Sequence, residues 1–495
     1  MTAMRHWLSK RADFSPNTEA VVLTNGDTFT FKQLEIHAKS MAANLRRQGI
    51  HPNSHVGVLA NNSYPFLVLI HALNYLGAVS FLINTRLTSQ EICFQLEDGE
   101  VEWLLYSEGY SNVVSELNIT GLTSIKLNHL LMEESEPVKL DEEVDLSQLS
   151  HILYTSGTTG KPKGVQLTYG NHWWSAINSA LNLGLNQHDR WLLSVPMFHV
   201  SGLSIIYRSV IYGMPIHLHE TFDVEAIHKD IMYNEITIVS VVSVMLEQLL
   251  EQLGDNFYPN TFRCMLLGGG PASKPLLEKC RAKEVPVYQT YGMTETASQF
   301  CTLDENNAFN KLGSAGKPLF SNRLKIMSHH GEEAGVHEVG EIVVKGPTVT
   351  KGYYNRPEEN KRTINDGWLK TGDLGYLDED HFLYVVDRRK DLIISGGENI
   401  YPAEIEGILK SHPQIKDAGV VGKEDDRWGQ VPVAFIVVKD RSIDNDEFEQ
   451  FCHQHLAKYK IPKDWHVVKE LPRNAAKKLL RHRLAEQVNQ KEGET

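Results

Sequence analysis

The densest chemistry in the sequence lies in Tyr154-Thr155-Ser156-Gly157-Thr158-Thr159-Gly160-Lys161-Pro162-Lys163-Gly164. Its glycines let backbone N–H groups approach an anion, Ser156 and the three threonines add hydroxyl donors, and Lys161 and Lys163 add charge. That inventory suits a polyphosphate, although the spacing is not the Gly-x4-Gly-Lys-Ser/Thr pattern. A turn-rich surface hairpin has the same composition, so on residue types alone both readings stand. A second glycine run, Gly268-Gly269-Gly270, follows the strand-like RCMLL, where a βα turn needs glycine in any case. His199 closes Pro196-Met197-Phe198-His199, where a neutral interior histidine is the plain alternative to a working one. Near the end of the chain, Lys477 and Lys478 read as a solvated basic face unless something calls them inward.

These residues need a scaffold, and hydrophobic periodicity supplies one. From Ala20 to Ile83, AVVLTN, the helical FKQLEIHAKSMAANLRRQG, HVGVLAN and a buried helix with a following strand alternate as in α/β units on a mainly parallel sheet. WLLSVP, ITIVSVV, FRCMLLGG and VPVYQTYG continue the pattern. Beyond about residue 312 short strands with Gly/Asp turns take over, and after residue 389 an α+β pattern begins at Pro402. The expected architecture is therefore α/β: a large N-terminal domain, 1–389, of mixed and parallel sheets wrapped by helices. It includes a β-rich module at about 313–389, and a small α+β C-terminal domain, 390–495, follows on a hinge. The tail EQVNQKEGET is expected to fray.

Composition excludes several classes. With 41% hydrophobic and 22% charged residues, the chain is neither disordered nor fibrous. Lys plus Arg (49) against Asp plus Glu (62) gives 49 − 62 = −13, which argues against nucleic acid as partner. Five scattered cysteines give neither a disulfide framework nor zinc spacing. The charged N-terminus is no secretory signal and no stretch reads as a membrane insertion, so the expected setting is cytoplasmic; a homo-oligomer is compatible with the sequence.

The string TSGTTGKPKG resembles the phosphate loop of the adenylate-forming superfamily, which includes acyl-CoA synthetases, peptide-synthetase adenylation domains and luciferases. Tyr291-Gly292-Met293-Thr294-Glu295-Thr296, Thr371-Gly372-Asp373, Asp387-Arg388-Arg389-Lys390-Asp391 and Ser395-Gly396-Gly397-Glu398-Asn399 resemble further motifs of that family, in order. The resemblance implies ATP and coenzyme A as substrates with Mg²⁺. A carboxylate attacks the α-phosphate to give acyl-adenylate and pyrophosphate, and coenzyme A thiolate then displaces AMP. It implies ATP binding by Thr155, Ser156, Gly157, Thr158, Thr159, Gly160, Lys161, Gly268, Gly269, Gly270, Tyr291, Gly292, Asp373 and Arg388. Thr294 would lie near the α-phosphate, Glu295 near the metal, and Asp373 would accept from the ribose hydroxyls. His199 resembles a gate beside the acyl pocket, Lys390 a hinge, and Ser395, Gly396, Gly397, Glu398 and Asn399 the thiol channel. Lys478 resembles the catalytic lysine, although the usual preceding glycine is Lys477 here.

Gly170-Asn171-His172, Phe198 to Ser204 and Thr296-Ala297-Ser298-Gln299 look like o-succinylbenzoate–CoA ligases of menaquinone synthesis. That substrate carries a second carboxylate. Arg208, in an apolar helical run, could read it by a two-point contact, with Ser298 and Gln299 beside the acid; equally, its head could snorkel to water. The alternatives are a medium-chain or aromatic acyl-CoA synthetase, and a binding protein that has lost its chemistry.

Overall fold

The computed structural model describes residues 3–130, 140, 142–155, 162–269, 272, 274–308, 310–328, 330–387, 392–439, 445–472 and 479–492. Two compact units emerge, and the first holds most of residues 1–386. Its first sheet has six strands in the order Lys163–Thr168, Leu149–Thr155, Val79–Leu82, His55–Leu59, Trp103–Tyr106, Thr123–Lys126. The helix Tyr64–Leu76 feeds this sheet. Ser63 caps it by accepting from Phe66 N–H, Pro65 sits in its first turn, and Gly77 (φ 63°) ends it. Every residue from Phe66 to Leu76 is buried, so this is a helix apolar all round and lodged in the core. Burying each large side chain is worth roughly 1.5–3 kcal/mol, which outweighs the few tenths that Val68 and Ile70 cost in helix propensity.

A second sheet runs through the rest of the unit. Glu19–Leu23, Ile216–Leu218, Trp191–Leu193, Ile238–Val241, Cys264–Leu267 and Val287–Met293 pair in parallel in that order. The four strands Ile216–Leu218, Trp191–Leu193, Ile238–Val241 and Cys264–Leu267 are buried at every position, as strands covered on both faces must be. From Ser298–Leu303 onward the pairing turns antiparallel, and Trp368–Leu377 alternates between buried and open positions. The β-rich stretch after residue 312 is thus no separate sheet. Ser314–Pro318 pairs with Ser298–Leu303, and the later strands extend the same path over a small core of Tyr291, Phe300, Ile342 and Leu383.

The second unit takes in 387–495 together with 86–95 and 155–163. Its five-stranded sheet centres on the hairpin Ile415–Asp425 and Gly429–Val438, with the helix Pro402–Ser411 packed on it. Within this unit the Lys460 ammonium, 3% exposed, donates to Glu91 (2.6 Å) and Glu404 (2.7 Å). The tail through residue 492 lies in the helix Arg481–Glu492, which packs Leu484 and Val488, one turn apart, against Val433 and Phe435. None of the five cysteines is in a disulfide, and no helix among the described residues is long and apolar enough to cross a membrane.

Candidate active site

In an open α/β sheet the crevice for a ligand opens beyond the carboxyl ends of the parallel strands. Several of the predicted residues of the first unit lie at or just beyond such strand ends. Gly268 and Gly269 follow Cys264–Leu267 directly, Tyr291 and Gly292 lie near the end of the strand Val287–Met293, and His199 lies six residues past Leu193. Gly268 N–H donates to Val241 O at 3.0 Å, which holds the glycine turn against the neighbouring strand end.

Tyr291 is buried, and its hydroxyl donates to Asp373 Oδ2 at 2.8 Å. Asp373 is itself 7% exposed, and its N–H donates to the Thr371 hydroxyl, which in turn donates to Ile342 O. Two motifs 82 residues apart thereby meet. Gly292 is obligatory: a Cβ there would stand 1.9 Å from Ser298 O, because the next strand folds back hard against it. The register shifts at this point, and Ala297 (φ 52°) and Ser298 (φ 102°) both have left-handed backbones without being glycine. Such residues cost of order 1–3 kcal/mol each and persist only where neighbours over-determine them. Here Thr296 accepts from Met293 N–H, and Ser175 donates to Ala297 O at 2.6 Å.

That bent segment carries Thr294 and Glu295 in the short turn Thr294–Thr296. Thr294 is half-buried; the Glu295 carboxylate, 5% exposed, does not cap its own turn but accepts from the Tyr353 hydroxyl at 2.8 Å. The same bend brings Ser298 and Gln299 to Arg208. Arg208, on the helix Val200–Tyr212, is 1% exposed, so it does not snorkel. One guanidinium nitrogen stands 3.4 Å from both Ser298 Oγ and Gln299 Oε1, and the head lies 5.1 Å from the Trp191 ring. Arg208 Nε and Gln299 Nε2 are buried donors with no partner among the described residues. Burial lowers the Arg208 pKa, and no carboxylate among the described residues pairs with it.

His199 is the half-buried N-cap of the same helix, beside Phe198 with ring centroids 4.6 Å apart. Its loop is clamped by Asn62, a residue that belongs to none of the sequence motifs. Asn62 donates to Val195 O (3.0 Å) and His219 O (3.3 Å) and accepts from Met197 N–H (2.8 Å).

In the second unit, Ser395 and Glu398 flank a two-residue hairpin turn at Gly396 (φ 56°) and Gly397 (φ 84°). Glu398 is buried and pairs with Arg86 at 3.2 Å, whereas Asn399 is exposed. Thr155 ends the strand Leu149–Thr155. Ser156, Gly157, Thr158, Thr159, Gly160, Lys161, Gly270, Arg388, Lys390, Lys477 and Lys478 lie outside the described residues.

Comparison with known proteins gives this geometry a context. The family model described as AMP-binding enzyme matches residues 8–354, and that of the AMP-binding enzyme C-terminal domain matches residues 404–478. A 2-succinylbenzoate–CoA ligase of Oceanobacillus iheyensis is 50% identical over 482 residues, 97% of this chain and 98% of the relative. A double mutant of the o-succinylbenzoate CoA synthetase of Bacillus subtilis, bound with its product analogue OSB-NCoA, matches with a TM-score of 0.94. It is 46% identical, with 98% of each chain covered. The B. subtilis enzyme in complex with ATP and a magnesium ion matches with a TM-score of 0.77 at 46% identity, covering 98% of this chain and 100% of that one.

Proposed function

The chain belongs to the AMP-binding enzyme family, and from that premise we propose that it joins 2-succinylbenzoate to coenzyme A with ATP, a step of menaquinone synthesis. The reaction is an acid–thiol ligation in two steps. The succinyl carboxylate attacks the α-phosphorus of ATP, expelling diphosphate and forming the acyl-adenylate. The coenzyme A thiolate then attacks the acyl carbon, and AMP leaves with the electron pair of the acyl–phosphate bond. Its use of ATP and coenzyme A supports a cytoplasmic setting.

The single observation that carries the choice of acid is Arg208. Activation consumes one carboxylate of the diacid; the other has to be held, and a buried guanidinium flanked by Ser298 and Gln299 offers it two-point, charge-assisted contact. An alkyl tail in the same place would leave the cation buried and unpaired, which disfavours a medium-chain acid.

In this reading Tyr291 stacks on the adenine beside the wall of Gly268 and Gly269, and Asp373 accepts from the ribose with help from Arg388. Thr294 donates to the α-phosphate, and Lys478 brings positive charge to the charge that develops there. Glu295 would hold Mg²⁺, which neutralises charge on phosphate oxygens; a lone carboxylate completed by phosphate and water is the usual way this ion is kept. That fits Glu295, a buried carboxylate. His199 screens the reacting carboxylate, and a swing about Lys390 would replace Lys478 by the Ser395 to Asn399 hairpin for the thiol step.

Pyrophosphate release and thioester formation with 2-succinylbenzoate, benzoate and octanoate test the assignment. Turnover is expected with the diacid and not with the other two. Comparable turnover with octanoate would make the protein a general acyl-CoA synthetase, and no turnover with any acid would leave a nucleotide-binding protein.

A further inference from the structure

The segment 350–354, read from the sequence only as strand-and-turn, sits between two parts of the candidate site. On one side it is laced to the strand Lys163–Thr168, which leaves the phosphate loop. Tyr354 N–H donates to Gly164 O at 2.8 Å, Gln166 N–H donates to Gly352 O at 3.0 Å, and Val165 and Tyr353 form an antiparallel bridge. On the other side Thr350 N–H donates to Glu295 O at 2.8 Å, and the Tyr353 hydroxyl donates to Glu295 Oε1.

Tyr353 is itself pinned. Its N–H donates to Asn360 Oδ1 (2.7 Å), the Asn360 amide donates back to Tyr353 O (2.8 Å), and the ring is 4% exposed. Gly352 (φ 130°) allows this, since a Cβ there would come within 2.8 Å of Asn360 Oδ1.

We propose that Tyr353 is a positioning residue for adenylate formation, fixing the Glu295 carboxylate in one rotamer and leaving its other oxygen for the metal that accompanies ATP. The proposal rests on the reading of Glu295 as the metal carboxylate. A glutamate has three side-chain torsions to lose, and a hydrogen-bonded ligand carboxylate meets its ion already ordered. Because the same segment is tied to Gly164 and Gln166, the phenol also fixes the spacing between the exit of the phosphate loop and the metal carboxylate. The supply of coenzyme A thiol makes no use of that spacing.

Tyr353→Phe removes one oxygen and keeps the ring. Mn²⁺ would be titrated by electron paramagnetic resonance in the presence of α,β-methylene-ATP, alongside both half-reactions. The expected result is weaker Mn²⁺ binding and slower adenylate formation, each by about 10–100-fold, the range for removing a hydrogen-bond partner of a metal ligand. Thioester formation from supplied acyl-adenylate should be unchanged. Glu295→Gln separates the two ideas: if it leaves Mn²⁺ binding intact, the metal reading of Glu295 fails; if it weakens binding while Tyr353→Phe does not, the role of Tyr353 fails. Equal loss in both half-reactions of Tyr353→Phe would reduce the phenol to a structural part and overturn the proposal. Should that variant not fold, Asn360→Ala, which keeps the phenol but frees its backbone, carries the same expectation at smaller size, and no selective loss there is equally fatal.

Discussion

The Tyr291 hydroxyl and the Asp373 carboxylate are hydrogen-bonded at 2.8 Å, so the ring proposed for the purine and the acid proposed for the ribose are one rigid fixture. Tyr291→Phe keeps the stacking face and removes a hydrogen bond to a charged acceptor, worth about 1.5–3 kcal/mol. The KM for ATP should rise about 10–100-fold while that for coenzyme A stays put. A titration of ATP at saturating acid and thiol reads this directly, and an unchanged KM would detach Asp373 from the nucleotide.

Arg208→Leu should separate acids. With 2-succinylbenzoate, kcat/KM should fall by about 2–5 kcal/mol, as when one partner of a buried charge pair is truncated. An analogue lacking the ring carboxylate should scarcely notice. Thermal stability should hold or rise, because the substitution deletes a desolvated cation that no described carboxylate neutralises. Parallel losses for both acids would return Arg208 to a structural part.

Acid should weaken the fold before it touches the chemistry. Burial lowers the pKa of His6, His71, His151 and His172, with His71 and His172 brought to about 3. The unfolded chain takes up protons at about 6.5, where the native rings refuse them, so stability is intact above that pH and drains as pH falls toward the native values. Each histidine contributes about 1.4 kcal/mol per pH unit in that window. Urea midpoints between pH 7 and 5 should fall steadily. His172→Phe should flatten the slope by one histidine's share, since this ring stacks on Tyr207 with neither nitrogen bonded among the described residues.

Lys478→Ala should remove about 2.7–4 kcal/mol from adenylate formation, the range for losing a donor aimed at transition-state charge. Thioester formation from supplied acyl-adenylate should survive. If Lys477→Ala gives that pattern instead, the alignment of the last motif shifts by one residue.

What the sequence displayed was whatever repeats locally. The helix Tyr64–Leu76 and the strand Val79–Leu82 announce themselves by unbroken apolarity, and the central strands by short β-rich runs between turns. Asn62 and Tyr353 were invisible because their partners lie far along the chain, 133 residues or more for Asn62 and 58 for Tyr353, and one polar residue makes no pattern. Strand register depends on pairing across a loop and not on either strand's own pattern, so the join between Ser298–Leu303 and Ser314–Pro318 could not be read in advance. Arg208 was legible as a type of residue in an odd place; its burial and idle donors were not.

The helix Val200–Tyr212 starts at His199, proposed as the gate, and carries Arg208, proposed to read the acid, in its third turn. Each residue inserted between them would swing Arg208 about 100° and advance it about 1.5 Å, away from Ser298 and Gln299. On the proposed role of Arg208, acid preference can drift by substitution, one side chain at a time, but not by changes of length. A search for new substrates among variants should leave the span between 199 and 208 uncut and vary the bent segment opposite it.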